Sequence, residues 1–138
     1  MMGEFSFPDI KKLVMEHLAS SLKDAGLPGV SVPIYSNRPD DGAQVGKSWV
    51  RVVATGGQGR FGRVLQDFQV TVDSYAGSTG AASDLARQVD EAMYEMVGAA
   101  SPICRVRGFT PGEFPDPDIQ QARWTCTYQL TVKLSQKG

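Results

Sequence analysis

The segment Arg123 to Leu134 alternates without interruption. Trp124, Cys126, Tyr128, Leu130, Val132 and Leu134 share one parity, and Arg123, Thr125, Thr127, Gln129, Thr131 and Lys133 share the other. A period of two marks a strand with one buried face and one wet face. A slip of one residue would turn every apolar side chain outwards, so the strand needs neighbours of matching parity. Upstream segments supply them. In Val64 to Tyr75, Phe68, Val70 and Val72 alternate with Gln69, Thr71 and Asp73. In Trp49 to Ala54 (WVRVVA), Val50 and Val52 face one side, and Trp49, Arg51 and Val53 the other. Ile103 to Phe109 is a further strand. Val30 to Tyr35 is a short one that Pro33 confines to a sheet edge or strand end.

Two segments carry the helical period instead. From Pro8 to just before Gly26, apolar residues fall at Ile10, Leu13, Val14, Leu18 and Leu22. Pro8 suits a first helical position, and Gly26 with Pro28-Gly29 ends the run. From about Ser78 to Val97, Ala82, Leu85, Ala86, Val89, Ala92, Met93 and Met96 form one face, with Ser78 or Thr79 as cap and Gly98 as stop. The element order is α-β-β-β-α-β-β. Sequential strands of this kind predict an α+β fold: a mainly antiparallel sheet with both helices packed on one face. No repeat or linker divides residues 1–138, so a single domain is expected.

Three segments read as connections. Ser36 to Ser48 is polar, with Asn37, Pro39, Asp40, Asp41 and Gly42. Thr55 to Gly62 (TGGQGRFG) is glycine-rich and is expected to be a long hairpin loop reaching beyond its own sheet. Thr110 to Asp118 (TPGEFPDPD) is expected to lack regular structure because of its prolines.

The charge balance narrows the partners. The chain has 14 basic and 15 acidic residues, a formal net charge of −1. A dedicated nucleic-acid binder usually shows a basic excess. A charge near zero also removes self-repulsion as an obstacle to association. No stretch approaches the roughly 20 apolar residues that cross a bilayer, so no membrane partner is expected. Met1 to Pro8 lacks the features of a signal peptide, and two cysteines make no disulfide framework. A reducing cytoplasm is the expected setting.

Chemistry-bearing groups are sparse. His17 lies beside the apolar stripe of the first helix without metal or acid–base partners, and is expected to be structural. Cys104 and Cys126 lack ligand spacing and are expected to be small buried residues. Gly57 to Gly62 matches GxGxxG, but a dinucleotide site needs a helix next and a strand follows instead. Asp116 and Asp118, among prolines, read as turn formers. No enzyme activity, cofactor or metal is expected. The glycine-rich segment, with Arg60, Phe61 and Arg63, is a candidate contact with a neighbouring subunit or with nucleic acid.

Three stretches together resemble one known family. They are an N-terminal helix opened by PDI and followed by VPIYSNRP; WVRVVATGG leading into DFQVTVDSYAGSTGAASDLARQVDEAMYEM; and RGFTPGEFPDPDIQQARWTCTYQLTVKL, a proline-bearing loop that feeds the last strand. This layout, across nearly the whole chain, resembles the tail terminator proteins of long-tailed bacteriophages, especially those of actinobacteria.

The resemblance implies a structural virion protein, assembled in the host bacterial cytoplasm and placed at the head-proximal end of the tail. It implies a homohexameric ring that ends tube polymerisation, contacts the major tail tube protein and the head–tail connector proteins, and lets DNA pass through its lumen without sequence-specific binding. Ring interfaces are heterologous, and projecting loops carry such contacts. The candidate interface residues are Gly57, Arg60, Phe61 and Arg63 in one segment and Phe109, Glu113, Phe114 and Asp116 in the other, with Ser36 to Lys47 third. Phe61 and Phe114 are the candidate apolar anchors. Other readings are a head-completion or tail tube protein, a small nucleic-acid-binding α/β domain, and an enzyme whose site is shared between subunits.

Overall fold

The computed structural model describes residues 4–6, 9–22, 32–36, 47–61, 65–98, 101–116, 121–133 and 135–137. Pro8, Gly26, Pro28, Gly29, Val30, Asn37 to Gly46, Gly62, Arg63, Asp118 and Leu134, all named above, lie outside them.

The fold is α+β. In chain order the elements are β1 (Glu4–Ser6), α1 (Ile10–Ser21), β2 (Ile34–Tyr35), β3 (Trp49–Phe61), β4 (Leu65–Ala76), α2 (Thr79–Tyr94), β5 (Ile103–Gly108), β6 (Gly112–Glu113), β7 (Ala122–Lys133) and β8 (Ser135–Lys137). The main sheet runs β2-β3-β4-β7-β5, and β6 also pairs with β7. All of its pairings are antiparallel except β2 with β3. The short antiparallel pair β1–β8 forms a second sheet.

The two most regular strands lie at the centre. β4 pairs with β7 continuously from Leu65–Lys133 to Ala76–Ala122. This register places Val52, Val72 and Cys126 in one row, and Ala54, Val70 and Tyr128 in the next. Val50, Val52, Val70, Val72, Cys126, Tyr128, Leu130 and Val132 pack there against Ile10, Val14 and Leu18 of α1 and Leu85, Val89 and Met93 of α2. Both helices therefore cover the same sheet face. His17 tightens their contact: it donates from Nε2 to the Ala92 carbonyl at 2.7 Å.

Side chains cap both helices. α1 begins at Ile10, later than Pro8 suggests, because the Asp9 carboxylate caps it by accepting from the Lys12 N–H. The Ser78 hydroxyl caps α2 by accepting from the Ala81 N–H. At its other end, α2 stops at Tyr94, short of Gly98. The Tyr94 hydroxyl accepts the Gly108 N–H at 3.0 Å and so ties the helix end to β5. Gly108 has to be glycine, because a Cβ there would lie 2.6 Å from Cδ1 of the Tyr128 ring.

Three expectations are corrected. First, the glycine-rich segment is not a projecting loop. β3 continues through it to Phe61, with register shifts after Ala54 and after Gly56. Gly56, Gly57 and Gly59 take positive φ, which lets the strand bulge and stay paired with β4. Bulges here disturb an edge that lacks a partner beyond Arg51 among the described residues, a common way to discourage edge-to-edge pairing. Gly57, at φ 136°, is the most constrained: a Cβ would lie 2.6 Å from the Asp67 carbonyl oxygen. Gly57→Ala is expected to cost about 1–3 kcal/mol in a urea unfolding curve, by backbone strain alone.

Second, residues 110–116 are partly regular, since Gly112 and Glu113 pair with Thr125 and Trp124. Third, Cys104 is exposed at a bulge in β5, and only Cys126 is buried; both are free thiols. Trp124, whose parity points to the core, is only half-buried, and its indole N–H donates to the Thr79 hydroxyl near the start of α2. The buried tryptophan is Trp49.

Candidate functional site

The same register lays out the sheet face opposite the helices. Opposed residues share a face, so its rows can be read across the strands. The first is Trp49–Tyr75–Arg123, then Arg51–Asp73–Thr125, Val53–Thr71–Thr127, Gln69–Gln129–Arg107 and Asp67–Thr131–Arg105, with Lys133 beside Leu65 at the end. No described helix packs on this face.

Its first two rows form a buried polar cluster. The Trp49 and Tyr75 rings stack with centroids 3.9 Å apart and planes 2° from parallel. The Trp49 indole N–H donates to the Gln121 side-chain carbonyl at 3.1 Å, and the Gln121 amide donates to the Lys47 carbonyl at 2.9 Å. Arg51 donates to one Asp73 oxygen from Nε (3.1 Å) and Nη2 (2.7 Å). Arg123 bridges the acids, with Nη1 3.9 Å from Asp73 and 3.8 Å from Asp116. The Tyr75 hydroxyl donates to the same Asp116 oxygen at 3.0 Å. Two guanidinium groups thus face two carboxylates, which compensates much of the desolvation each would otherwise suffer.

The cluster holds an arm. Residues 109–116 lie along β7, because the Phe109 N–H donates to the Thr127 carbonyl and the Phe114 N–H to the Arg123 carbonyl. The Arg123 Nε–H donates to the Phe114 carbonyl at 2.7 Å, and Glu113 accepts from the Thr79 hydroxyl. The arm is anchored at both ends, yet Phe109 remains 75 % and Phe114 62 % exposed. Burying an aromatic side chain of this kind releases roughly 25 cal/mol per Å² of apolar surface. Two of them are held in water on this arm.

Burial also perturbs two phenols. Desolvation pushes the hydroxyls of Tyr75 and Tyr128 above their ordinary value of 10.0. The unfolded chain therefore gives up these protons first. Their contribution to stability is whole below about pH 10 and falls as pH rises beyond it. Urea midpoints measured from pH 8 upwards should drop at the alkaline end, and Tyr128→Phe should lessen that drop.

The candidate interface residues do not form one patch. Phe109, Glu113 and Phe114 lie on the arm. Asp116 turns inward and is buried against Tyr75 and Arg123. Gly57, Arg60 and Phe61 belong to β3, at the opposite edge of the sheet, and Arg63 lies outside the described residues. Sequence reasoning missed Arg51, Asp73, Arg123 and the Trp49–Tyr75 stack. Each of these has outward parity on its own strand, which was legible. Their convergence depends on register, which was not.

Among the described residues no group of His, Cys, Asp and Glu side chains could hold a metal, and no helix is long and apolar enough to cross a membrane. No protein-family model matches the chain, and no curated protein matches it.

Proposed function

We propose that this chain is an assembly subunit that closes into a ring, and that the ring is a tail terminator capping the head-proximal end of a phage tail tube. The observation that carries the assembly reading is the anchored arm with its two exposed phenylalanines. Aromatic side chains are favoured at interface centres, and a pre-ordered arm loses little entropy on docking. The specific role rests on the sequence resemblance described above. In this reading the tube and connector contact opposite faces of the ring, DNA crosses its lumen, and no chemical step is performed.

Electron microscopy and native mass spectrometry of the purified protein, with and without tail tubes, test this. Discrete rings of one size, free or on tube ends, support it. Filaments point to a tube subunit. A protein that stays monomeric at every concentration and ignores tube ends overturns it.

A second reading, nucleic-acid binding, is favoured by one observation: Arg105, Arg107 and Lys133 stand on the sheet face that no described helix covers. It predicts steeply salt-dependent affinity for short oligonucleotides.

A further inference from the structure

The outer stripe of α2 is mainly acidic, and the end of the opposite sheet face that carries Arg105 and Arg107 is mainly basic. On the outer side of α2, Asp84, Gln88, Glu91 and Glu95 occupy one helical stripe. Asp84 is paired with Arg87, whereas Glu91 and Glu95 are exposed and make no ion pair among the described residues. A groove of about 670 Å³ runs beside this stripe, with Ser48 on its other wall. On the sheet face that no described helix covers, Arg105 and Arg107 are likewise exposed and make no ion pair among the described residues. Between them and the buried cluster lie the uncharged Thr71, Thr127, Gln69 and Gln129, and the acid in Arg105's own row, Asp67, is buried and accepts from the Thr131 hydroxyl.

The spacing agrees as well as the sign. Two residues along a strand separate Arg105 and Arg107 by about 7 Å. One turn of helix separates Glu91 and Glu95 by about 6 Å. We infer that the outer face of α2 on one copy docks on the uncovered sheet face of the next, with Glu91 and Glu95 meeting Arg107 and Arg105. This rests on the ring reading above and names the surfaces that build the ring. The two patches differ and lie on opposite layers, so the contact is heterologous, the type that generates a ring when the rotation between copies closes and a filament when it does not. Two sheet faces meeting each other would instead bring arginines together.

The magnitude says how such a ring holds. The part of the sheet face beyond the buried cluster spans roughly 15 Å by 20 Å, about 300 Å². A stable interface covers about 800 Å² on each partner. The helix-on-sheet contact is therefore weak alone. It needs the neighbouring arm with Phe109, and ring closure, in which every copy is held twice.

The test is a charge swap. One variant carries Arg105→Glu and Arg107→Glu, a second Glu91→Lys and Glu95→Lys, and a third all four changes. Circular dichroism and thermal melts confirm that each is folded. Association is read by sedimentation and native mass spectrometry, in parallel with electrophoretic retention of a short DNA duplex. Each two-site variant alone should associate at least tenfold more weakly than the wild type. An equimolar mixture of the two should assemble again, as should the four-site variant, because opposite charges then meet at every contact.

Assembly of all variants like the wild type overturns this interface and leaves the ring reading standing. Loss in both two-site variants without recovery in the mixture also overturns it. Loss of DNA retention in the arginine variant with assembly unchanged assigns the sheet face to nucleic acid and overturns it. A wild type that assembles under no condition removes the ring reading itself, and this inference with it.

Discussion

Trp49→Ala is expected to lower unfolding stability by about 3–5 kcal/mol, the range for truncating a buried aromatic side chain. Trp49 is 1 % exposed, at the end of the sheet where β3 begins. The change removes the stack on Tyr75 and the partner of the Gln121 side chain, and it opens a cavity under both. Trp124→Ala is the internal comparison: the half-buried Trp124 should cost clearly less. Urea unfolding of the two variants side by side checks this. Equal losses would mean that the buried cluster on the face opposite the helices contributes no more than the sheet margin near α2.

Asp73→Asn is expected to cost about 3 kcal/mol, the lower end of the range for removing one partner of a buried ion pair. Asp73 has 4 % side-chain exposure, while Arg51 keeps 25 % and Arg123 19 %, so water partly compensates the abandoned guanidinium groups. The loss should spread to the arm, because Arg123 both faces Asp73 and holds the Phe114 carbonyl. Amide exchange at Phe114, whose N–H is bonded to the Arg123 carbonyl, should quicken in this variant relative to exchange in the β4–β7 core. Unchanged exchange at the arm would show that the cluster stabilises the sheet without positioning the phenylalanines.

Much of this architecture is legible in local pattern. The period-two runs around Phe68 to Asp73 and Arg123 to Lys133 name two strands and their inward faces, and the sheet uses them in matching parity. The helical stripes Ile10, Val14, Leu18 and Leu85, Val89, Met93 name the covering layer in the same way. Glycine misled the reading at Thr55 to Gly62. Positive φ is a feature of turns and of bulges alike, and only the pairing partner separates the two. The two tryptophans depart from their parity for a related reason. Trp124 has inward parity but sits at the sheet margin, whereas Trp49 has outward parity yet is covered by Tyr75 and Gln121.

The amino-acid sequence by itself determined the central strands, the two helices, the faces they turn to the core and the near-neutral charge, because each depends on spacing within a single segment. Tertiary structure alone decided that Arg51, Asp73, Arg123 and Asp116 meet, that Phe109 and Phe114 stand exposed on an anchored arm, and that Glu91 and Glu95 stand on the opposite layer from Arg105 and Arg107. Those features depend on register between segments far apart in the chain. Parity restricts that register without selecting it; side-chain packing and the balance of buried charge make the choice.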